Sequence, residues 1–482
     1  MLLFLCGIAV LLAGYFTYGK LVEKILGPDD RETPAVKNHD GVDFITLPHW
    51  KNMLIQLLNI AGIGPVIGVI LGIKFGTIVF IILPIGNLIA GSTHDMIAGM
   101  MSLRNNGANL TTLVKDNLGN TYYRIFSWFM VVLLLLVVAV FVNIPANLIS
   151  GMIPGEWFWY AVVAITIYYV AAALFPVDKI IGSIYPFFGA LLIVSTLAIF
   201  VVLVWEGIKN PALLQESEAF RSNMFTAEKN QPILPMLFVT IACGIISGFH
   251  ATQSPIVART MKTERQARST FYGMMVAEGI IGMIWAGAGL AIYNLFPQYM
   301  AVVPAKVLSY ITTHFLGSLA GNITVLGVVV LAITSGDTAL RSTRMALGEM
   351  LHIDQKPLRN RLLLCTAMLV LVVALLWWSN QSAKSFNLLW NYFSWGNQVL
   401  AVTTLLAGSV YLLRNGKNCL IALLPGAFML FIVLNYILWI SPAHGGPAGF
   451  GLDLCVAYIV AAVLTVFCCT MVVLHGKKLK KQ

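Results

Sequence analysis

Residues 59–68, NIAGIGPVIG, interrupt an apolar stretch that is otherwise long enough to cross a lipid bilayer. A Gly-x-Gly-Pro run loosens a helical turn, and proline then suits the first turn of a new helix, where its missing N–H costs nothing. Residues 242–255, ACGIISGFHATQSP, interrupt a second apolar stretch in a similar way. The two patterns predict two discontinuous membrane helices.

The composition of the chain predicts a membrane protein over its whole length. Of its 482 residues, 59% are hydrophobic and only 10% are charged, whereas a soluble domain carries about 25% charged residues. A helix needs roughly 20 apolar residues to cross the hydrocarbon layer. We count about thirteen predicted spans, with centres near Ala9, Gly62, Gly86, Leu135, Ile165, Ile193, Gly244, Gly282, Val330, Leu369, Asn397, Leu430 and Thr465.

The basic residues predict how the chain is oriented in the membrane. Lys and Arg concentrate in cytoplasmic loops, and the C-terminal tail HGKKLKKQ is strongly basic. With an odd number of spans the N-terminus is then outside, and most of the 30 basic residues fall on the cytoplasmic side. The net charge of +10 therefore reflects topology, and no nucleic-acid partner is expected.

The spans divide the chain into six segments. The first stretch, MLLFLCGIAVLLAGYF, lacks a basic start and a clear cleavage site, so we interpret it as a retained helix and not a signal peptide. We predict an additional N-terminal transmembrane helix at 1–19, a cytoplasmic loop at 20–50, a first repeat at 51–206, a second repeat at 232–414, two C-terminal transmembrane helices at 419–475 and a basic cytoplasmic tail at 476–482.

The two interruptions lie five predicted spans apart. Because this offset is odd, the two broken helices run in opposite directions through the membrane, as in the inverted repeats of many secondary transporters. In such folds the N-termini of the half-helices face an anionic ligand, while freed carbonyls face a cation. The alternative is a pair of kinks that serve only helix packing. The eleventh predicted span also contains polar and small residues at 391–398, NYFSWGNQ, which predicts a softer helix there.

Several ionisable residues lie inside apolar spans, where charges are costly and usually functional. They are His94 and Asp95 in the third span, His250 after the second interruption and Glu278 in the eighth span. Three of them have a structural alternative. Asp95 is alternatively a carboxylate at the membrane interface, His250 a hydrogen-bonded core histidine and Glu278 a partner for a buried donor. Because these residues belong to different spans, the sequence does not predict the clustered acid–base set of a membrane-embedded enzyme. HExxH and GxSxG motifs are also missing from the sequence.

Asp337 is the most informative of the buried charges. It lies in residues 334–344, TSGDTALRSTR, and Arg341 follows four residues later on the same helix face. The pair is interpreted either as a buried ion pair or as part of a cation or proton site. Hydroxyls and carboxylates suit a hard cation such as sodium. The seven cysteines show no Cys-x-x-Cys pair and no zinc spacing, so we predict no disulfide framework, metal centre or cofactor.

Several segments together resemble the carbon starvation protein family (CstA). They are AGIGPVIGVILG, STHDMIAGMMSLRNNGANL, ACGIISGFHATQSP, DTALRSTRMALGEML and NLLWNYFSWGNQVLAV, in that order, between about residues 43 and 414. The resemblance implies an all-α integral membrane fold of the amino acid–polyamine–organocation transporter superfamily, with a LeuT-type 5+5 inverted repeat. It also implies uptake of a carbon source during starvation, either pyruvate with protons or short peptides.

The resemblance also implies where ligands bind. A LeuT-type arrangement places the ninth span against the first broken helix, and a substrate carboxylate between the two breaks. The implied substrate-binding residues are Gly62, Gly64, Pro65, Gly244, Ser247, His250, Gln253, Asn397 and Gln398. The resemblance implies Ala61, Thr334, Ser335 and Asp337 for ion coupling. Asp95 and Glu278 are further candidates for ion or proton coupling because of their position inside apolar spans. A sodium ion would lie among Ala61, Gly64, Thr334, Ser335 and Asp337.

The sequence therefore favours an ion-coupled transporter over an enzyme. The coupling ion is H⁺ or Na⁺, the partners are a small-molecule substrate and the lipid bilayer, and the oligomeric state stays open. A passive channel and a membrane nutrient sensor are the alternatives. Concentrative uptake would exclude the channel.

Overall fold

A computed structural model of the chain describes residues 1–41, 43–174 and 177–480, and these residues are almost all helical or in short connections. The principal helices are α1 (Leu2–Leu26), α2 (His49–Ile60), α3 (Gly64–Phe75), α4 (Val79–Arg104), α5 (Asn120–Met152), α6 (Phe158–Leu174), α7 (Val177–Lys209), α8 (Phe238–Ile245), α9 (Gly248–Ala258), α10 (Glu264–Leu295), α11 (Pro304–Met350), α12 (Leu358–Ser379), α13 (Ala383–Arg414), α14 (Leu420–Trp439) and α15 (Leu454–Lys480). Shorter helices connect them at Pro34–Lys37, Leu110–Leu118, Pro211–Leu214, Glu218–Asn223, Pro297–Ala301 and Pro442–His444.

The described residues contain eleven helices that are long and apolar enough to cross a membrane. Helices α2 and α3 add a twelfth span if this pair, bent by 52°, is counted as one. The apolar part of α6, Phe158–Ala172, falls at the fifth predicted span but is shorter than the others. The chain is thus a multi-pass membrane protein, and the count of thirteen spans stays a prediction.

Both interruptions that the sequence predicts are present as breaks between helices. Helix α2 ends at Ile60 and α3 begins at Gly64, with Pro65 in its first turn. Helix α8 ends at Ile245, and α9 begins at Gly248 after two extended residues. Glycine and proline set these positions because they weaken one turn and then suit the start of the next helix.

Other predicted boundaries differ from the structure. Helix α1 continues beyond 19 to Leu26, and α15 continues to Lys480 into the predicted tail. Helix α13 is continuous through 391–398, so the predicted softening of the eleventh span is wrong. Polar side chains there have partners on neighbouring helices, and the backbone needs no break to satisfy them. Helix α11 instead kinks at Gly317, whose φ of +78° favours glycine.

The two broken helices pack against each other along a row of glycines. Gly64, Gly68 and Gly72 recur every four residues on α3, and each faces α8. A Cβ on Gly68 would lie 3.0 Å from the carbonyl oxygen of Thr240. Small residues at this spacing allow close backbone approach between membrane helices. The first broken helix is therefore fixed directly to the second.

The basic ends of several helices meet on one side of the molecule, which we call the basic face. Arg104 at the end of α4 donates to the carbonyls of Leu26 (3.0 Å) and Gly27 (2.6 Å) and pairs with Glu264 (3.0 Å). Lys417 after α13 donates to the Leu26 carbonyl as well. Helices α1, α4, α10 and α13 are therefore joined at this face.

The segment between α1 and α2 lies across the basic face. The amides of Ile45 and Leu47 donate to the carbonyls of Arg259 (3.2 Å) and Thr260 (3.0 Å), which follow α9. The hydroxyl of Thr33 donates to the Met261 carbonyl (2.6 Å). We call residues 27–41 and 43–48 the strap, because they close the basic-face end of the second broken helix.

Exposed charges reinforce the strap. The Arg31 guanidinium donates hydrogen bonds to Asp29 and holds the pKa of that carboxyl well below its usual range. The Arg265 guanidinium likewise donates to Asp30 and lowers the pKa of that carboxyl. Both carboxylates are exposed, so these pairs order the strap and contribute little to global stability.

Candidate functional site

At the first break, a serine hydroxyl approaches backbone carbonyls that the end of α2 leaves without helical partners. The hydroxyl of Ser335 on α11 points at the carbonyl oxygens of Leu58 (3.4 Å) and Asn59 (3.2 Å). A Cβ on Gly62 would lie 2.9 Å from this hydroxyl oxygen, so glycine is needed for the approach. Gly62 thus lies directly against α11, in the arrangement that the resemblance implies for the ninth span.

The second break is held by an asparagine from α13. Ile246 and Ser247 are extended, so the N-terminus of α9 lacks intrahelical partners. The Asn397 Oδ1 accepts from the Phe249 amide (2.7 Å), and its Nδ2 donates to the Ser247 hydroxyl oxygen (2.8 Å). Asn397 therefore caps α9 across the interface between two helices.

Helix α4 supports the other side of the second break. The Asn87 side chain donates to the Gly244 carbonyl (3.3 Å), one of the carbonyls freed where α8 ends. Gly91 lies against the Ile245 carbonyl so closely that any Cβ would overlap it. Gly248 abuts the backbone of α13 in the same way. The second break is consequently enclosed by backbone on two sides.

The two breaks meet each other inside the bundle. A Cβ on Gly64 would overlap the Cys243 side chain, and a Cβ on Gly244 would lie 3.7 Å from the Pro65 Cα. The predicted residues Gly62, Gly64, Pro65, Gly244 and Ser247 are thus brought into one region. In this region a helix N-terminus lies near freed carbonyls. The N-terminus can bind an anionic group, and the carbonyls can bind a cation.

Four buried ionisable residues form a cluster beside the second break. His250 on α9 places Nδ1 3.2 Å from Asp95 Oδ2 and Nε2 3.8 Å from Glu278 Oε2. His94 Nδ1 lies 2.8 Å from Asp95 Oδ1. All four side chains are at least 98% buried. These residues do belong to different spans, but the helices that carry them converge, so their side chains form one cluster.

Asp337 has a hydrogen-bond partner on α6. The Tyr168 hydroxyl of α6 donates to Asp337 Oδ2 (2.7 Å). Arg341 pairs with Asp43 of the strap (3.3 Å) and donates to the Ala172 carbonyl. The structure brings Ser335 to the first break and Asp337 to α6. Two of the implied sodium-site residues, Ser335 and Asp337, thus face different neighbours of α11.

The remaining predicted residues are placed as follows. The Thr334 hydroxyl donates within its own helix to the Leu331 carbonyl (2.9 Å). Gln253 donates to the Thr252 hydroxyl oxygen (3.0 Å) within α9, one turn beyond His250. Gln398 donates to the Val239 carbonyl of α8 (3.3 Å). Gln398 thus holds the half of the second broken helix opposite to the half that Asn397 caps.

A cavity of about 560 Å³ lies between α5, α6 and α11. Its lining is almost entirely apolar, and it consists of Ile149, Trp157, Tyr160, Ala161, Ala164, Ile165, Tyr168, Val330, Ile333 and Thr334. Because Tyr168 lines the cavity and also bonds Asp337, the cavity reaches the neighbourhood of that carboxylate.

Two structurally important residues were not predicted as site residues. Asn87 lies in an apolar stretch, and its polarity is a signal that could have marked it. Tyr168 lies in a run of aromatic and small apolar residues, where tyrosine carries no such signal. The described residues contain no group of three or more His, Cys, Asp or Glu side chains that could hold a metal ion.

Comparison with known proteins identifies a family. The sequence profile described as Carbon starvation protein CstA matches residues 1–167, 152–295 and 296–435. A membrane protein of Haemophilus influenzae without an assigned function is 38% identical over 346 residues, which cover 61% of this chain and 92% of that protein.

Relatives with named functions are transporters, not enzymes. The "Pyruvate/proton symporter BtsT" of Escherichia coli is 25% identical over 58% of this chain and 47% of its own length. The "Peptide transporter CstA" of Bacillus subtilis is 23% identical over 90% of this chain and 89% of its own length. The chain thus spans about half of the first transporter and most of the second.

Solved structures of membrane transporters share the fold. A mutant of the manganese transporter of Eremococcus coleocola superposes with a TM-score of 0.53 at 14% identity, over 92% of this chain and 98% of that one. A Na⁺-coupled sialic acid symporter superposes with a TM-score of 0.51 at 11% identity, over 96% and 97%. These similarities concern the fold alone.

Proposed function

Because this chain belongs to the carbon starvation protein CstA family, we propose that it is a secondary transporter that imports a small carboxylate such as pyruvate, or short peptides, during carbon starvation. Its named relatives include a pyruvate/proton symporter and peptide transporters. We assign it to the amino acid–polyamine–organocation superfamily, with a LeuT-type repeat of spans two to six and seven to eleven. Uptake is coupled to H⁺ or Na⁺.

The meeting of the two broken helices is the observation that carries this proposal. Gly64 contacts Cys243, and Gly244 approaches Pro65, so the helix ends of the two halves face one region. A substrate carboxylate fits the positive end of α9, and its binding would compete with the cap that Asn397 provides. Substrate binding would in this way loosen the contact between α9 and α13.

The basic face supports an orientation for the chain. Basic residues lie at several helix ends on or near this face: Arg104, Arg259, Lys417 and the Lys residues near the end of α15. Because Lys and Arg concentrate on the cytoplasmic side, we place the basic face in the cytoplasm and the N-terminus outside. The strap then closes the cytoplasmic end of α9.

Uptake into proteoliposomes tests the proposal directly. The purified chain is reconstituted, and labelled pyruvate and labelled dialanine are each supplied outside under an inward pH gradient, an inward sodium gradient or neither. We expect accumulation of one substrate above equilibrium under one of the two gradients. Equilibration without accumulation would instead indicate a passive channel, and the lack of uptake or counterflow of both compounds would contradict the proposed cargo.

The first break supports sodium as the alternative coupling ion. The Ser335 hydroxyl and the carbonyls of Leu58 and Asn59 supply oxygen ligands of the kind that hard cations prefer. Substitution of Asp337 by Asn in the same assay tests the implied sodium site. Unchanged coupled uptake in Asp337→Asn would remove Asp337 from that site.

A further inference from the structure

We propose that Glu278, His250 and Asp95 form the proton-binding site of this transporter, and that the site releases its proton when α9 moves. The inference rests on the proposed transport function for its role in coupling, but its proton-binding part can be measured without a substrate. It assigns His250 to proton binding and not to direct contact with the substrate.

The geometry allows one imidazole to bridge two carboxylates. The two ring nitrogens of His250 point to different partners, Asp95 at 3.2 Å and Glu278 at 3.8 Å. A doubly protonated imidazole donates from both nitrogens. Neither oxygen of Glu278 has a hydrogen-bond partner among the described residues, and the same is true of Asp95 Oδ2 and His250 Nδ1, so these contacts are ion pairs and not aligned hydrogen bonds.

The titratable groups near Glu278 come from three neighbouring helices. They are His250 on α9, Asp95 and His94 on α4, and the Cys243 thiol on α8. Within the described ranges, Lys and Arg side chains form no ion pair with either carboxylate. The cluster therefore has to balance its charge with protons.

The net charge of the cluster depends on one further proton. With both carboxylates ionised, His250 protonated and His94 neutral, the cluster carries one net negative charge in a dry interior. Burial of such an uncompensated charge is strongly unfavourable. A proton on a Glu278 oxygen makes the cluster neutral, so the closed structure favours the proton-loaded form.

The position of His250 links this proton to a moving element. His250 lies three residues after Ser247, at the start of α9, whereas Asp95 and Glu278 belong to helices without a break at that level. If α9 moves away from α4 and α10, His250 separates from the carboxylates, and water can enter from the basic face. Water stabilises the Glu278 carboxylate, and the proton leaves to the cytoplasm. The outer solution supplies the next proton before closure.

Infrared spectroscopy of the reconstituted protein tests proton binding without any substrate. A difference spectrum between acidic and alkaline buffer is expected to show the carbonyl stretch of a protonated carboxylic acid. The part of this band that comes from Glu278 should disappear in Glu278→Gln, while the parts from exposed carboxyl groups remain. A band that persists unchanged in Glu278→Gln would overturn the proposal.

Glu216 provides the matched control. Burial raises the pKa of Glu216, but hydrogen bonds from the Thr77 amide (2.7 Å) and hydroxyl (2.8 Å) and the charge of Arg221 outweigh it and lower the pKa overall. Glu216 therefore keeps its negative charge to a lower pH than an ordinary glutamate, and Glu216→Gln should retain the full band. Loss of the band in both variants would show that the signal is not specific to the cluster.

Transport measurements separate proton coupling from substrate binding. We expect Glu278→Gln to lose at least 90% of pyruvate accumulation driven by a pH gradient and to retain pyruvate counterflow, which needs no net proton movement. Glu216→Gln should retain both. Full gradient-driven accumulation in Glu278→Gln, or accumulation driven only by sodium in the unmodified chain, would overturn the proposal.

A second variant keeps the test decisive if Glu278→Gln does not fold. His250→Gln keeps a polar side chain but cannot bridge two carboxylates with two charged donors, and it should likewise uncouple accumulation from the pH gradient. If the unmodified chain moves neither pyruvate nor dialanine, the proposed cargo fails. The infrared result then still decides whether Glu278 binds the proton.

Discussion

The two breaks are alike in sequence but differ in how they are held. At the first break, one hydroxyl from Ser335 approaches the freed carbonyls. At the second break, Asn397 caps α9, Asn87 binds a freed carbonyl and Gly91 packs against another. The difference indicates that the second broken helix is fixed in one position, whereas the first can accept a ligand at its carbonyls with little rearrangement.

The largest expected effect comes from filling the contact at Gly248. A Cβ at this position would overlap backbone atoms of α13, which cannot move aside as a flexible side chain can. We expect Gly248→Ala to destabilise the protein by about 3 kcal/mol, since overpacking costs roughly 1–3 kcal/mol and backbone is the least yielding neighbour. Thermal unfolding in detergent measures the change.

The control for this prediction is Gly151→Ala. Gly151 lies near the end of α5, and a Cβ there would meet no atom within 4 Å. The unfolding temperature of this variant should be unchanged or slightly higher, because alanine favours helix more than glycine does. Equal unfolding temperatures for the two variants would contradict the tight closure of the second break.

Removal of the cap should have the next largest effect. Asn397→Ala leaves the Phe249 amide and the Ser247 hydroxyl without this partner in the interior, which costs about 2 kcal/mol. We expect a lower unfolding temperature and at least tenfold slower pyruvate counterflow. Asn415→Ala, which removes only a bond to the Tyr411 carbonyl of the same helix (2.7 Å), should leave counterflow intact. Normal counterflow in Asn397→Ala would show that the cap is dispensable.

The smallest effect on stability is expected at the first break. Ser335→Ala removes one hydroxyl from the carbonyls of Leu58 and Asn59, and its cost should be about 1 kcal/mol or less. Ser409→Ala is a matched control, because the buried Ser409 hydroxyl bonds only within α13, to Leu405 (2.8 Å). A destabilisation by Ser335→Ala as large as that of Asn397→Ala would remove the contrast between the breaks.

Local sequence was sufficient to locate the breaks. Gly62, Gly64 and Pro65 mark the first, and Gly244, Ser247 and Gly248 mark the second, because their backbone preferences act within one or two turns. The family resemblance added the approach of α11 to the first break, which the Ser335 contact shows. The transporter class was likewise predictable from composition and motifs.

Tertiary contacts were not predictable from local patterns. His250 meets Asp95 and Glu278 only because three helices distant in sequence converge, and no spacing along the chain encodes that approach. Asn397 was predicted as a substrate-binding residue, and its role as a helix cap could not be predicted, because the cap depends on where the α9 N-terminus lies. The same holds for the partner of Asp337, since Tyr168 is reached across a helix interface.

Hydrogen exchange in the strap also measures how often the basic face opens. The amide protons of Ile45 and Leu47 are bound to carbonyls just after α9, so they can exchange with deuterated water only when the strap and α9 separate. Their exchange rate therefore counts separation events in the resting protein, without label, substrate or mutation. A compound that arrests the cycle with the strap in place would slow the exchange of these amide protons, and one that holds the basic face open would accelerate it.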